Sequence, residues 1–332
     1  MPDIRYWTQL ATEQFPPISI VEQAVATEAA GFDGLSLSDH YQPWWEPGES
    51  GHAWTMLGAV GQATQRVAIG TGVTTPVHRY HPAVAAQAFM TLEALNPGRA
   101  YLGIGSGESL NETPCGMDWP PVREQVDRME ESLEIIGRLF DGERLDYDGR
   151  FFRTKRALLH TLAERRPPIY VSAFGPRAAR VAARLGDGLW TLGDPETAPE
   201  VIDAYKGARE DAGKGPGEII LQVGFSWAGD DDAALEGARV WKSVLQPEFF
   251  TDDWSDPQSM YRHAEDKTSD EEFKQGFIVS ADSDHHVERV REVEQLGGTI
   301  VCLQNVSGAD PRGARRGYGE QGRPALRGAR VE

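Results

Sequence analysis

Cysteine is almost missing from this chain: 332 residues hold two, Cys115 and Cys302. Two such thiols make no disulfide framework, and a reducing cytoplasm is the expected location. Positive charge is short as well. Against 51 Asp and Glu stand only 33 Lys and Arg, a net charge of −18. So acidic a surface repels nucleic-acid phosphates and anionic lipid, so neither is an expected partner. Long apolar runs are lacking, and no stretch approaches the ~20 residues that cross a bilayer. The opening Met1-Pro2-Asp3-Ile4-Arg5 has neither the basic nor the apolar region of a signal peptide.

Several chemical signatures are absent too. His78 with His81, and His285 with His286, lack converging carboxylates or cysteines, so no metal is expected. There is no Walker loop, and no Gly-x-Ser-x-Gly elbow in a strand-to-helix turn. Gly103-Ile104-Gly105-Ser106-Gly107 does not open a helix at the right place. No ribose-binding acid ends a strand roughly 20 residues later, so an NAD fingerprint is rejected.

What the chain does contain is alternation. Apolar runs at 4–10, 34–37, 67–70, 100–104, 169–173, 188–192, 219–225 and 299–303 read as strands. Helical patterns follow them, the first opened by a Ser19/Glu22 capping box and the later ones at 52–64, 83–95, 122–140, 176–185, 198–212, 231–245 and 283–296. Strand and helix in turn, about eight times, specify a parallel sheet covered by helices. The count favours a closed (β/α)8 TIM barrel, an α/β fold, over an open doubly wound sheet. No linker-like composition shift appears, so one domain over 1–332 is expected. Departures from the alternation are a hairpin at Asp148-Gly149, an irregular acidic and aromatic insertion or lid at 246–276, a short extra strand at 277–279, and a tail, 308–332, that frays or forms a weak helix.

The residues with chemistry sit at strand exits. Asp39, His40, Trp44 and Trp45 follow the second strand, and Gly72, Val73 and Thr75 the third. Glu108 and Asn111 follow the fourth, Ala173-Phe174-Gly175 the fifth and Trp227 the seventh. On a barrel these exits share one rim, where active sites form. His40 and Glu108 make a base and an acid suited to removing a hydroxyl proton as a hydride departs. Glycines at 103, 105 and 107 would let a flat ring approach the backbone. Blander readings stand beside these: Glu108 as a helix-start carboxylate, Asp39 as a group orienting His40 or capping a turn, Trp44 and Trp45 as wall, Trp227 and Trp241 as core.

Five stretches resemble a known family: Ala11-Thr12-Glu13-Gln14-Phe15, Ser38-Asp39-His40-Tyr41-Gln42-Pro43-Trp44, Thr71-Gly72-Val73-Thr74-Thr75-Pro76, Arg79-Tyr80-His81-Pro82-Ala83 and Gly105-Ser106-Gly107-Glu108-Ser109-Leu110-Asn111-Glu112. They look like the coenzyme F420-dependent glucose-6-phosphate dehydrogenase family of the luciferase-like barrel superfamily, which also holds secondary-alcohol dehydrogenases. The resemblance implies a small-molecule oxidoreductase using the deazaflavin F420, with a homodimeric assembly. An FMN-dependent monooxygenase on the same barrel is the alternative, and a non-enzymatic cofactor-binding relative a third. It implies a ring resting on a cis-peptide bulge at Gly72-Val73, with Asp39, Thr75 and Asn111 as ring or tail contacts. Ala173, Phe174 and Gly175 would form the phosphate-tail loop. His40 would be the base, Glu108 the acid at the ring nitrogen and Trp44 a stabiliser of developing charge. Glu13 would be a substrate-side or His-orienting group and Arg262 would match one basic substrate-side position; by their own chemistry Trp45 and Trp227, with Trp44, would wall the substrate pocket. One departure stands out. The sugar-phosphate enzymes hold the phosphate with basic residues and threonine after the sixth strand and in the lid. Here that exit reads Leu192-Gly193-Asp194-Pro195-Glu196, which opposes a dianion.

Overall fold

The computed structural model describes residues 4–308, 310–322 and 326. Eleven strands appear in it: β1 (Arg5–Leu10), β2 (Gly34–Leu37), β3 (Ala68–Thr71), β4 (Leu102–Ile104), β5 (Leu145–Asp148), β6 (Arg153–Ala157), β7 (Ile169–Ser172), β8 (Gly188–Leu192), β9 (Glu218–Trp227), β10 (Phe277–Ser280) and β11 (Ile300–Asn305). Eight of them run parallel in the order β3-β2-β1-β11-β9-β8-β7-β4. Bridges Ile69↔Ala100 and Thr74↔Ile104 join the two ends. The chain is therefore a (β/α)8 barrel, as the alternation predicts. β10 adds to β9 in parallel, and β5–β6 is the expected antiparallel hairpin.

The lumen is filled, not hollow. Trp7, Tyr101, Tyr170, Trp190, Ile220, Ile300 and Cys302 pack together inside it. Trp7 stacks on Tyr101 with centroids 4.7 Å apart. Such large rings need small partners on neighbouring strands. A Cβ at Gly34 would come within 2.7 Å of the Trp7 ring, and one at Gly103 within 2.0 Å of the Thr71 carbonyl oxygen. A polar layer lies across the same interior: Trp190 Nε1 donates to Gln222 Oε1 at 2.8 Å, and Gln222 Nε2 to Gln304 Oε1 at 3.1 Å.

Register sets the height of the rim. Leu10 pairs with Leu37, and Leu37 with Thr71. The chain therefore leaves β1, β2 and β3 at one level, and residues 11–13, 38–40 and 72–75 meet there. Thr12 Oγ1 donates to the Ser38 carbonyl at 3.0 Å and ties the first two exits together.

Some local expectations are corrected. The first helix, Pro17–Ala29, begins before the Ser19/Glu22 box, with Pro16 at its N-cap and no side-chain cap. Proline in the first turn has its φ preset for helix, so the chain turns before Ser19, which instead accepts from Gln23 Nε2 at 3.0 Å. The 246–276 insertion is not irregular: it contains helices Pro257–Lys267 and Asp270–Gly276. Asp256 caps the first, and Ser269 with Glu272 forms a true capping box on the second. Acidic composition obscures these start signals. The 231–245 helix is α only over Asp231–Ala238 and then tightens to 3₁₀ over Arg239–Leu245. In the tail, Pro311–Gly317 is helical and packs on the first helix; residues 309, 323–325 and 327–332 lie outside the described residues.

Gly103→Ala should destabilise the barrel by about 1–3 kcal/mol or abolish folding, because the new methyl meets backbone, which cannot rotate away. Chemical denaturation read by tryptophan fluorescence measures this; an unchanged midpoint would show that β4 shifts freely.

Candidate active site

Three exits place three titratable side chains together. His40 leaves β2, Glu13 follows β1, and Glu108 immediately precedes the short helix Ser109–Glu112 after β4, its carboxyl free of any capping bond to that helix. His40 Nε2 lies 3.6 Å from Glu13 Oε1 and 3.5 Å from Glu108 Oε2. The Nδ1 atom of His40 is buried, with the Gln42 backbone beside the ring. Glu13 is 1% exposed, and its carbonyl accepts from Glu49 N at 2.8 Å. Burial therefore governs the charge of the trio. It pushes Glu13 up to about 7. It pushes Glu108 up to about 8, with help from the neighbouring Glu13 charge. His40 is held down at about 3, first by burial and then by the Arg79 guanidinium. At slightly acid pH the imidazole is neutral and both carboxyls hold protons. The imidazole is thus a neutral acceptor beside two carboxyls that give up their protons near neutral pH.

Behind this trio lies a buried ion network. The Asp39 carboxylate accepts from Thr74 Oγ1 and from Tyr80 OH at 3.3 Å, and faces Arg79 Nη2 at 3.3 Å. Arg79 also donates to the Asp39 carbonyl at 2.6 Å, and pairs with Glu112 through Nη1 and through its backbone N–H. Asn111 is a brace: its Oδ1 accepts from Tyr41 N at 2.8 Å and Gln42 N at 3.3 Å, while its Nδ2 donates to Glu108 Oε2 at 3.1 Å. Both Asp39 and Asn111, read from the sequence as cofactor contacts, thus spend their polar atoms on protein groups.

Aromatic rings roof the trio. The Trp44 ring lies 5.5 Å from His40 and 5.6 Å from Phe250, and Phe250 meets Phe174 edge-on at 5.6 Å. The segment carrying Phe250 is strapped down beside the trio. Ser109 Oγ donates to the Trp254 carbonyl and accepts from Trp254 N, both at 2.7 Å, and Gln42 Nε2 donates to the Ser255 carbonyl at 3.1 Å. Trp45 does not face His40 in this way; it packs edge-on to Trp241 at 5.1 Å inside the apolar core of the lid.

Next to the trio, Gly72-Val73 is a non-proline cis peptide, as the resemblance implies. Gly72 is required: a Cβ there would meet the Trp190 ring at 2.7 Å. Thr75 is buried beside Gly107. Ala173-Phe174-Gly175 leads into the Pro176–Leu185 helix, and above Gly175 the space is open, since an added Cβ would meet nothing within 4 Å. Phe174 is exposed.

Two sequence-predicted residues fall elsewhere. Trp227 shares the outward parity of Leu221 and Phe225 along β9 and stacks on His286, centroids 4.5 Å apart, away from the lumen. Strand alternation, invisible when only the exit is counted, moves it off the substrate side. Arg262 is exposed on the Pro257–Lys267 helix and bonds Gln258 of its own helix through Nε at 3.2 Å and Nη2 at 2.9 Å. Asp194 caps its own turn, accepting from Glu196 N and Thr197 N.

Sequence reasoning missed Arg79, Tyr80 and Glu112 as site residues, and Phe250 and Ser109 as parts of the roof. All but Phe250 stood inside the quoted motifs. Arg79 could have been suspected as a cation in a chain poor in cations, sitting next to an acid-rich rim. Phe250 had no local signal, and nothing in the motif around Ser109 pointed to its partner Trp254, 145 positions away.

Comparison with known proteins agrees with this geometry. The family described as “Luciferase-like monooxygenase” matches residues 4–299. An “F420-dependent glucose-6-phosphate dehydrogenase” of Nakamurella multipartita is 39% identical, over 98% of this chain and 97% of its own. One of the same name from Microbacterium testaceum is 38% identical, over 98% of each chain. Among solved structures, an “F420-dependent secondary alcohol dehydrogenase in complex with an F420-acetone adduct” superposes with a TM-score of 0.93 at 30% identity, covering 98% of this chain and 99% of that one. The chain belongs to the luciferase-like family. Among the described residues no helix is long and apolar enough to cross a membrane.

The raised carboxyl pKa values have a thermodynamic consequence. Between the ordinary carboxyl value near 4.5 and the folded values of about 7 and 8, the native state holds protons that the unfolded chain has lost. The contribution of Glu13 and Glu108 to stability is thus present below about pH 4.5 and falls as pH rises through 7 and 8. Glu13→Gln and Glu108→Gln, which stay neutral, should gain melting temperature relative to the parent as pH goes from 5 to 9. A difference that does not change with pH would show both carboxylates to be ionised throughout.

Proposed function

We propose that this protein is a coenzyme F420-dependent oxidoreductase that moves a hydride between a carbinol carbon and the deazaflavin, acting on a neutral or weakly polar alcohol or its carbonyl counterpart. The observation that carries the reading is His40 Nε2 set between the Glu13 and Glu108 carboxyls, under Trp44 and beside the Gly72-Val73 cis peptide. The likeness to proteins named for F420 dependence supports it.

The residues present suit the coenzyme. The Gly72-Val73 segment offers a small-residue platform, and the open space above Gly175 at a helix start suits a phosphate, which backbone N–H groups can meet. Gly72, Val73 and Thr75 would hold the ring, and Ala173, Phe174 and Gly175 the tail. When bound, the deazaflavin supplies a two-electron acceptor or donor of hydride. The chain supplies the rest. Neutral His40 takes the hydroxyl proton of the alcohol, and in the reverse sense returns it. Glu108, protonated at neutral pH by burial, holds or yields the proton owed to the ring nitrogen. Glu13, facing the same Nε2 at 3.6 Å, orients the imidazole. Trp44, Phe250 and the strap at 250–255 exclude water from the trio.

The substrate class follows from where the cations are spent. Lys242 pairs with Asp270 at 2.9 Å and Glu265 at 3.4 Å, Arg239 with Asp270 at 3.0 Å and Lys274 with Glu271 at 3.5 Å. Arg262 bonds within its own helix. With Trp44, Phe250 and Phe174 as walls, an apolar alcohol is favoured over a sugar phosphate. Each charged hydrogen bond missing from a phosphate costs about 1.5–3 kcal/mol, so several lower kcat/KM by orders of magnitude. A homodimer in the cytoplasm completes the reading, and light scattering reports the assembly.

Three measurements test this. Titration by tryptophan fluorescence should show F420 binding more tightly than FMN; the opposite order would move the protein to the monooxygenase branch. His40→Ala should lower turnover by roughly 10²–10⁴ with F420 affinity little changed, and a variant near parental turnover would remove His40 from the mechanism. Loss of F420 absorbance should be faster with isopropanol and larger secondary alcohols than with glucose or glucose 6-phosphate. Efficient use of glucose 6-phosphate would show that Arg262, Lys267 or Lys274 rebuild an anion site from the lid.

A further inference from the structure

Arg79 reaches both halves of the catalytic pair. Its Nη2 donates to the main-chain carbonyl of Asp39, the residue before His40, at 2.6 Å. Its Nη1 and backbone N–H hold Glu112, whose own N–H bonds the Glu108 carbonyl at 3.2 Å. One side chain, 7% exposed, therefore spans from the β2 exit to the helix after β4. It is also a cation within a rim that carries the buried Glu13, Asp39 and Glu112 and the partly buried Glu108.

We propose that Arg79 is a positioning residue: it holds the His40 loop and the Glu108 helix in one frame and supplies the positive charge against which both groups work. The catalytic roles of His40 and Glu108 in this proposal rest on the function proposed above. The groups facing His40 are Glu13 from the β1 exit, Glu108 from the β4 exit and Arg79 from the segment after β3, while the Asp39 carboxylate is taken up by Thr74, Tyr80 and Arg79. The guanidinium disfavours a proton on His40 and draws Glu108 down from the value burial alone would set. Asn111 bridges the same two elements without charge. This second link keeps the two elements joined when the guanidinium is replaced, so the charge of Arg79 can be tested apart from its geometry.

The signs are opposite for two variants. Removing the charge with Arg79→Met should raise the pKa of both His40 and Glu108, so the whole bell of kcat/KM against pH moves alkaline. Glu112→Gln keeps Arg79 but deletes a neighbouring acid, so the bell's alkaline limb should move acid. Arg79→Lys keeps the charge and loses the two-pronged geometry, so the bell should stay in place while kcat falls about tenfold or more with KM little changed. The His40 Cε1 proton, assigned by its loss in His40→Ala, is titrated by NMR in the cofactor-free protein. Its midpoint should rise by about one pH unit or more in Arg79→Met and hold in Arg79→Lys. This readout needs no turnover, so it survives even if F420 proves the wrong coenzyme. If Arg79→Met does not fold, Arg79→Lys and Glu112→Gln carry the test. An unmoved His40 midpoint in Arg79→Met, unmoved bells in both Arg79→Met and Glu112→Gln, or parental kcat in Arg79→Lys would reduce Arg79 to a structural ion-pair partner.

Discussion

The arrangement depends on one imbalance: several carboxyl groups are buried at one end of the barrel around a single imidazole and a single guanidinium. Four unpaired buried carboxylates would be intolerable, since each ion loses its hydration and gains little in return. The structure answers in two ways. Asp39 keeps its position through Thr74, Tyr80 and Arg79, each bringing a donor. Glu112 likewise accepts from Arg79, while Glu13 and Glu108 hold protons more firmly, with values pushed up to about 7 and 8. The result is a site loaded with exchangeable protons near neutrality, which acid–base chemistry on a hydroxyl requires.

The barrel makes that burial possible. Its lumen is plugged by Trp7, Tyr101, Tyr170 and Trp190, so the rim has a solid floor. Level pairing of β1, β2 and β3 brings three exits to one height, and the strapped segment around Phe250 covers them from the other side. Desolvation of the trio is therefore a property of the closed sheet and the lid together. Gly72 and Gly103 matter for the same reason, since each lets a backbone pass against a large ring or a carbonyl that a methyl would strike.

Some of this was legible in the chain. Eight alternations of short apolar runs and helical patterns specify the barrel, because period-2 and period-3.6 burial are local properties. The positions of His40, Glu108 and Gly72 at strand exits place them on one rim once the barrel is granted. The hairpin at Asp148-Gly149 is a turn signal with a local cause. Where local signals competed, reading failed: prolines 16 and 17 overrode the Ser19 cap, and caps at Asp256 and Ser269 were hidden in an acidic stretch.

The sequence by itself determined the fold class, the composition of the rim and the chemical types available there, because these follow from periodicity and from which residues end each strand. Only the tertiary structure decided which of those residues meet. Strand parity turned Trp227 outward onto His286, and helix phase left Arg262 in solvent. Contacts across 33 to 40 positions of chain made Arg79 the link between Asp39 and Glu112. The charge states of His40, Glu13 and Glu108 were equally beyond the sequence, since a pKa is set by burial and by neighbours that no linear spacing discloses.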